Sequence, residues 1–340
     1  MSEEKNILLP NPSKLVVSSS PHLHKGNDVQ KIMIHVIIAL IPACLVGIYV
    51  FGWSAAQVLI ITIISCVLIE AISLKLIGKS QNALKDGTAV LTGMLLAMNL
   101  SASTPWWVCV IGALLAIVLA KQLFGGLGYN PFNPALVARV GLLIGFPTFL
   151  TSWAPTKSML SSTHIDAVTC ATPLYQIPLT LKNGTTEILS YTNMDLFLGN
   201  IPGSLGETSA LALLIGGLYL IVMKIVCWRI PAFFIGGVAV IAGIHHMIEP
   251  KTTLTITQHL FSGGLFIGAF FMATDMVTSP ETKKGAIIFA LGCAIVTYSI
   301  RVWGAYPEGV SFAILFMNAF TPLIDRLAAN KPFGHIVTEN

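Results

Sequence analysis

The sequence predicts an all-α, polytopic membrane protein of about ten transmembrane helices, arranged as two inverted five-helix repeats. Three observations predict it. Of 340 residues, 54% are hydrophobic and 10% charged, with a mean hydropathy of +0.79, whereas soluble domains carry about 25% charged residues. The apolar residues gather in stretches of about 20, the length a helix needs to cross a bilayer with its backbone paired internally. A segment in the first half recurs in the second.

The predicted spans lie at 32–51, 55–77, 84–100, 105–122, 134–150, 207–227, 230–248, 254–276, 285–301 and 308–327. They divide the chain into a tail (1–31), a first five-helix half (32–150), a polar connection (151–206), a second half (207–327) and a short C-terminal tail (328–340). The first thirty residues are polar, and the apolar run after them is too long for a signal-peptide core and has no cleavage site behind it.

Orientation follows from the basic residues, which favour cytoplasmic loops. With ten spans and both termini in the cytoplasm, 14 Lys and Arg fall inside. Only Lys157, Lys182, Lys251 and Arg301 fall outside, and Arg139 lies within a span. Adding or removing one span destroys this bias. The net charge of +4 comes from short loops and gives no reason to expect a nucleic-acid partner. The six cysteines form no CxxC pair, so metal-ligand spacing is absent and no metal site is expected. The doublet His245-His246 points its side chains apart on a helix and is read as interfacial.

The repeat pairs Thr92-Gly-Met-Leu-Leu-Ala-Met-Asn-Leu-Ser-Ala-Ser-Thr-Pro105 with Ile267-Gly-Ala-Phe-Phe-Met-Ala-Thr-Asp-Met-Val-Thr-Ser-Pro280, 175 residues later. Gly93 aligns with Gly268 and Pro105 with Pro280. Five spans separate the two, so they cross in opposite senses, as inverted repeats do, and sites are expected near the repeat interface. Both segments end in polar residues that disfavour helix, Asn99 to Thr104 and Thr274 to Ser279. Irregular backbone at membrane depth survives only inside protein or beside a cavity. Broken helices that meet near the midplane are one reading, and ordinary interfacial helix ends are the other.

Few residues offer chemistry. Asp86, Arg139 and Asp275 lie at or inside spans, where a charge costs about 2.5–3.5 kcal/mol on insertion scales. They are either paired at interfaces or functional. Gly125-Gly-Leu-Gly-Tyr-Asn-Pro-Phe-Asn-Pro134 joins spans four and five. Its amides, at Asn130 and Asn133, and its flat rings suit a planar heteroaromatic ligand, and a plain rigid turn is the alternative. In the long connection, Asp166-Ala-Val-Thr-Cys-Ala-Thr-Pro-Leu174 presents hydroxyls at Thr169 and Thr172 beside a turn-forming proline. No His/Asp arrangement lies near to activate them, so a catalytic threonine is not expected, and from the residues alone this is a loop.

Several motifs resemble the RnfD/NqrB family, the membrane subunits of the Rnf ferredoxin:NAD⁺ complex and of sodium-translocating NADH:quinone reductase. They are Ser20-Pro-His, Asp86-Gly-Thr-Ala-x-x-Thr-Gly, Gly128-Tyr-Asn-Pro-Phe-Asn-Pro, Gly203-Ser-x-Gly-Glu-Thr-Ser209 and Met272-Ala-Thr-Asp-x-x-Thr-Ser-Pro280. The likeness covers nearly the whole chain, and the short N-terminal tail is more like RnfD. It implies a fold similar to the urea and ammonium transporters. It also implies FMN held as a phosphoester on a threonine of a Ser/Thr-Gly-Ala-Thr motif, joined there by a separate flavin transferase.

Thr169-Cys170-Ala171-Thr172 matches that motif, with Cys170 where the family has glycine. Thr172 is then the anchor, with Thr169, Cys170, Ala171 and Leu174 around the cofactor. The lysine and arginine count, made without the motif, places Thr172 outside the cytoplasm, as the family requires. A second, noncovalent flavin (riboflavin in the quinone reductase) is expected near Asn133 and Asp86. The resemblance implies electron transfer coupled to Na⁺ or H⁺ movement in the bacterial cytoplasmic membrane, with the other Rnf subunits as partners. An NQR-type subunit, or a cofactor-free channel or solute transporter of the same architecture, is the alternative.

Overall fold

The computed structural model describes residues 28–156, 172, 174, 192–250, 253–304, 306 and 308–329, and every regular element among them is helical. Five helices are long and apolar enough to cross a membrane: α1 (Val29–Phe51), α2 (Trp53–Ile77), α9 (Arg229–Ile248), α12 (Lys283–Trp303) and α13 (Val310–Leu327). Their surfaces are inverted relative to a soluble protein. On α2, Ile60, Ile64, Leu68, Ile72 and Leu76 are all exposed. That four-residue spacing makes one continuous apolar face, a patch a soluble monomer does not carry. The chain is a polytopic membrane protein.

Local chemistry sets the helix ends. The Asp28 side chain accepts from Val29 N at 2.8 Å to start α1. α2 stops at Gly78, which is left-handed. Shorter helices complete the bundle: α3 (Thr88–Met98), α4 (Trp106–Leu114), α5 (Pro134–Gly145), α6 (Pro147–Thr151), α7 (Asn193–Leu198), α8 (Ala210–Val222), α10 (Ile256–Phe261) and α11 (Leu265–Ile267). α4 runs on as a π-helix, Leu115–Gln122, and α11 as another, Gly268–Met272.

Three expected spans are interrupted. The stretch 84–100 opens with a 3-10 turn, Gln81–Asp86, and its helix stops at Met98. Pro147 splits 134–150, because a proline drives the residue before it out of helical conformation, and Phe146 sits at φ −136°, ψ 57°. Ser262-Gly263-Gly264 divides 254–276 into α10 and α11.

Helices recur in order. α2 and α9 begin at Trp53 and Arg229, α4 and α12 at Trp106 and Lys283, and α5 and α13 at Pro134 and Val310, each pair close to the spacing of the sequence repeat. α1 lies along α8, α9 along α12, and α2 along both α3 and α4. One continuous core crosses between the halves, with Leu96 and Met98 from the first and Phe234, Ile267 and Phe270 from the second. Leu205 N donates to Leu100 O at 3.1 Å across the same seam.

Candidate functional site

The last four carbonyls of any helix lack intrahelical donors and carry partial negative charge. α3 and the Gly268–Met272 π-helix both end inside the protein, beside each other. Asn99 caps α3 and donates through Nδ2 to Leu95 O at 2.7 Å, and the same nitrogen lies 3.7 Å from Met272 Sδ. The Asn99 carbonyl receives the Arg139 guanidinium from α5. The Met272 carbonyl receives Asn133 Nδ2 at 3.2 Å. Each broken helix is thus closed by a side chain of the 130–139 segment. The two ends meet as buried ends in contact.

A cleft opens beside this junction, at the lysine-rich end of the bundle where α3 begins. It is a groove partly open to the exterior. Its walls are mostly apolar, from Leu91, Leu127, Ile225 and Phe270. Its polar groups are Thr88, Thr92, Lys121, Asn130, Asn133, Thr274 and Asp275. Thr278 Oγ1 donates to Asp275 Oδ2 at 3.1 Å. The glycine- and asparagine-rich turn reaches the cleft through Asn130 and Asn133. Asp86 does not line it. That residue belongs to the preceding 3-10 turn, and Thr88, two residues on, takes the place at the wall.

Lys121, a loop lysine by the charge count, is only 3% exposed. Its Nζ donates to Glu70 Oε1 at 2.5 Å and to Thr88 Oγ1 at 2.8 Å, and Gln122 Nε2 donates to the same carboxylate oxygen at 3.0 Å. The pair sits where the π-helix ends, and π segments are frequent at functional sites. Sequence reading misses Glu70, although it is the sole acidic residue of the apolar stretch 55–77.

A second buried charge cluster joins the halves on the far side of the junction. Arg139 donates to Glu308, which also accepts Gly264 N at 2.6 Å. Glu207 lies 3.9 Å from the same guanidinium and accepts Ser204 Oγ at 2.8 Å. Glu207 and Glu308 open expected spans. Glu207 stands in the Gly203-Ser-x-Gly-Glu-Thr-Ser209 motif, but nothing in the sequence points to Arg139 as the partner of either carboxylate, because it is remote in the chain. Arg139 is buried and paired with both carboxylates.

Beyond this cluster, at the end of the bundle opposite the lysines, Arg301 donates to His259 O at 2.6 Å and to Ser262 O at 3.1 Å. It closes the expected span 285–301 and lies in the last turn of α12. Leu174 is buried here, with Cδ2 3.5 Å from where a Cβ on Gly263 would stand. Thr172, two residues before it, is 4% exposed. Its Oγ1 has no hydrogen-bond partner among the described residues. Thr169, Cys170 and Ala171 lie outside the described residues. The expected site residues therefore divide between two places, Asn133 in the cleft and Thr172 with Leu174 at the opposite end. His245, at that end, meets Tyr298 OH at 2.7 Å, and His246 meets Thr253 Oγ1 at 3.1 Å.

Similarity to known proteins is extensive. The model of the NQR2, RnfD, RnfE family matches residues 16–334. The chain is 46% identical over 326 residues to the D subunit of the Na(+)-translocating ferredoxin:NAD(+) oxidoreductase complex of Acetobacterium woodii, covering 95% of this chain and 96% of the relative. It is 44% identical over 324 residues to the D subunit of the proton-translocating ferredoxin:NAD(+) oxidoreductase complex of Clostridium ljungdahlii, covering 94% and 96%. With the D subunit of the ion-translocating oxidoreductase complex of Stutzerimonas stutzeri it shares 42% over 328 residues, covering 91% and 93%.

Proposed function

The chain belongs to the NQR2, RnfD, RnfE family, and we propose that its own share of the reaction is to hold FMN as a phosphoester on Thr172. It is a D-type membrane component of an ion-translocating ferredoxin:NAD⁺ oxidoreductase of the Rnf type, driving Na⁺ or H⁺. The observation that carries the Thr172 reading is its hydroxyl, buried and without a partner among the described residues. A buried hydroxyl is ordinarily bonded, so esterifying this one breaks no native hydrogen bond. The flavin supplies the electron-transfer chemistry when bound, and the protein supplies position and electrostatics. Thr172 anchors it, and the Leu174 side chain packs at Gly263. A flavin transferase makes the bond during maturation.

The ten crossings in two inverted halves are part of the same reading. Four observations support it: the recurring helix starts, the paired helix ends at Asn99 and Met272, the shorter apolar helices of the first half, and the lysine and arginine bias. Both termini then face the cytoplasm of a bacterial cell, the halves being 32–150 and 207–327. The cleft opens on the cytoplasmic side, and residues 151–206, with Thr172, lie outside. Partners are the other membrane and peripheral subunits of the complex, and lipid.

A noncovalent flavin such as riboflavin suits the cleft. The walls are mostly apolar, and Asn130, Asn133, Lys121 and Asp275 are among the polar residues that line it. Those side chains would orient a planar ring and exclude water from its faces.

The deciding experiment is in-gel flavin fluorescence of the denatured full chain, co-expressed with its transferase. The wild type is expected to fluoresce and Thr172→Ala to be dark. A fluorescent Thr172→Ala band refutes the assignment.

A further inference from the structure

Four buried polar atoms near Leu174 lack hydrogen-bond partners among the described residues: Ser262 Oγ, Arg301 Nε, His259 Nδ1 and Thr297 Oγ1. They are one patch. Arg301 binds the carbonyls of residues 259 and 262 through its two Nη atoms, and its Nε–H is without a partner among the described residues. Thr297 stands four residues before Arg301 on α12, on the same face. Ser262 and Thr297 are fully buried, and His259 nearly so. An unmade bond to such a group costs about 1–3 kcal/mol, and more if the group is charged. Four together in a native fold call for a ligand.

The donors specify its chemistry. Arg301 Nε–H can only donate and carries positive charge, and the Ser262 hydroxyl is able to donate. No carboxylate is within ion-pair distance of Arg301 among the described residues. Glu308 Oε1 lies 3.2 Å from the point where a Gly263 Cβ would stand, and that carboxylate is engaged by Arg139 and Gly264 N. The missing partner is an anion that only accepts.

The chain reaches this patch next to Thr172. Arg301 Nη2 lies 3.0 Å, and Leu174 Cδ2 3.5 Å, from the point where a Gly263 Cβ would stand. The two residues from Thr172 to Leu174 span at most about 7 Å. Gly263 itself is at φ +72°, a left-handed conformation that glycine adopts without strain.

We propose that Arg301 Nε–H and the Ser262 hydroxyl, with His259 beside them, form the anion pocket that receives the phosphodiester of a flavin esterified at Thr172. The proposal rests on the Thr172 reading. It adds that the phosphate is seated in the second half of the bundle, so that the cofactor pins its own loop to α12.

The test compares flavin-loaded and flavin-free full chain in detergent, made with and without the transferase. Its readouts are the thermal midpoint and the ³¹P resonance of the loaded form. Loading is expected to raise the wild-type midpoint by roughly 1–3 °C, the shift per bond being small in a chain of this length. The rise should be smaller in Ser262→Ala and Arg301→Gln, largely restored in Arg301→Lys, and accompanied in the first two by a shifted phosphorus signal. In the flavin-free chain, Ser262→Ala removes an unpartnered hydroxyl and is expected to be neutral or stabilising. It therefore decides the matter even if Arg301→Gln does not fold. Equal gains on loading and an unmoved resonance in Ser262→Ala overturn the pocket alone, provided Thr172→Ala is dark in the gel. A fluorescent Thr172→Ala removes the attachment reading and the pocket with it.

Discussion

The Asn133 side chain bridges the two halves of the bundle: its Nδ2 donates to Met272 O at 3.2 Å while its Oδ1 accepts from Ala135 N at 3.1 Å. One amide thus starts α5 and ends the second π-helix. Asn133→Asp keeps the N-cap acceptor but turns an anion toward the Met272 carbonyl. We predict that it lowers stability by about 1–3 kcal/mol, more than Asn133→Ser, and loosens any ligand in the cleft. Thermal unfolding of the purified chain checks the order. Equal midpoints for Asp and wild type would falsify the bridge.

Glu70 and Lys121 form a pair that is buried on both sides. Breaking such a pair strands a charge and costs about 3–5 kcal/mol, whereas replacing both partners with apolar residues is often neutral. Lys121→Met is therefore predicted to cut folded yield sharply and Glu70→Met/Lys121→Met to recover it. Gel-filtration yield is the readout, and a double variant as poor as the single one contradicts the pairing.

Arg139 faces two carboxylates unequally. Glu308 accepts both its guanidinium and Gly264 N, while Glu207 stands at 3.9 Å. Glu308→Gln is predicted to destabilise by about 2–4 kcal/mol, from the loss of a charged partner, and Glu207→Gln by clearly less. The ranking of the two thermal midpoints decides it, and a reversed order counts against this geometry.

α1 and α8 touch where Gly216 faces Ala39. A Cβ at 216 would stand 2.1 Å from the Ala39 carbonyl oxygen, whereas Gly236 has nothing within 4 Å. In lipid, helix contacts depend on such close packing, because no hydrophobic force between helices replaces it. Gly216→Ala is predicted to cost about 1–3 kcal/mol and Gly236→Ala to be tolerated. Identical melting of the two variants disproves the contact.

The topology makes its own prediction. A cysteine replacing Lys182, in the Cys-depleted chain, is expected to react with a membrane-impermeant maleimide added to intact cells. A cysteine replacing Lys79 is expected to react only after the cells are opened. Labelling of position 182 solely in opened cells overturns the outward placement of the 151–206 connection.

Composition and the length of the apolar stretches settled the helical membrane class, because lipid leaves a chain few ways to pair its backbone. The helix stops at Asn99 and near Thr274 were also legible, as polar residues that disfavour helix in an apolar run. Thr172 was legible through its motif, while its hydroxyl's lack of a partner was not.

By itself, then, the sequence determined the membrane class, the long helices, the repeat and the threonine on which the flavin reading rests. Only the tertiary structure decided which charges meet. Arg139 finds Glu308 from 169 positions away, and Glu70 finds Lys121 from 51. It also decided that three expected spans are broken and that Asp86 stands off the cleft which Thr88 lines. The reason is physical: helix formation obeys neighbours three or four residues away, whereas a buried charge is stabilised by whichever opposite charge the folded bundle carries to its side.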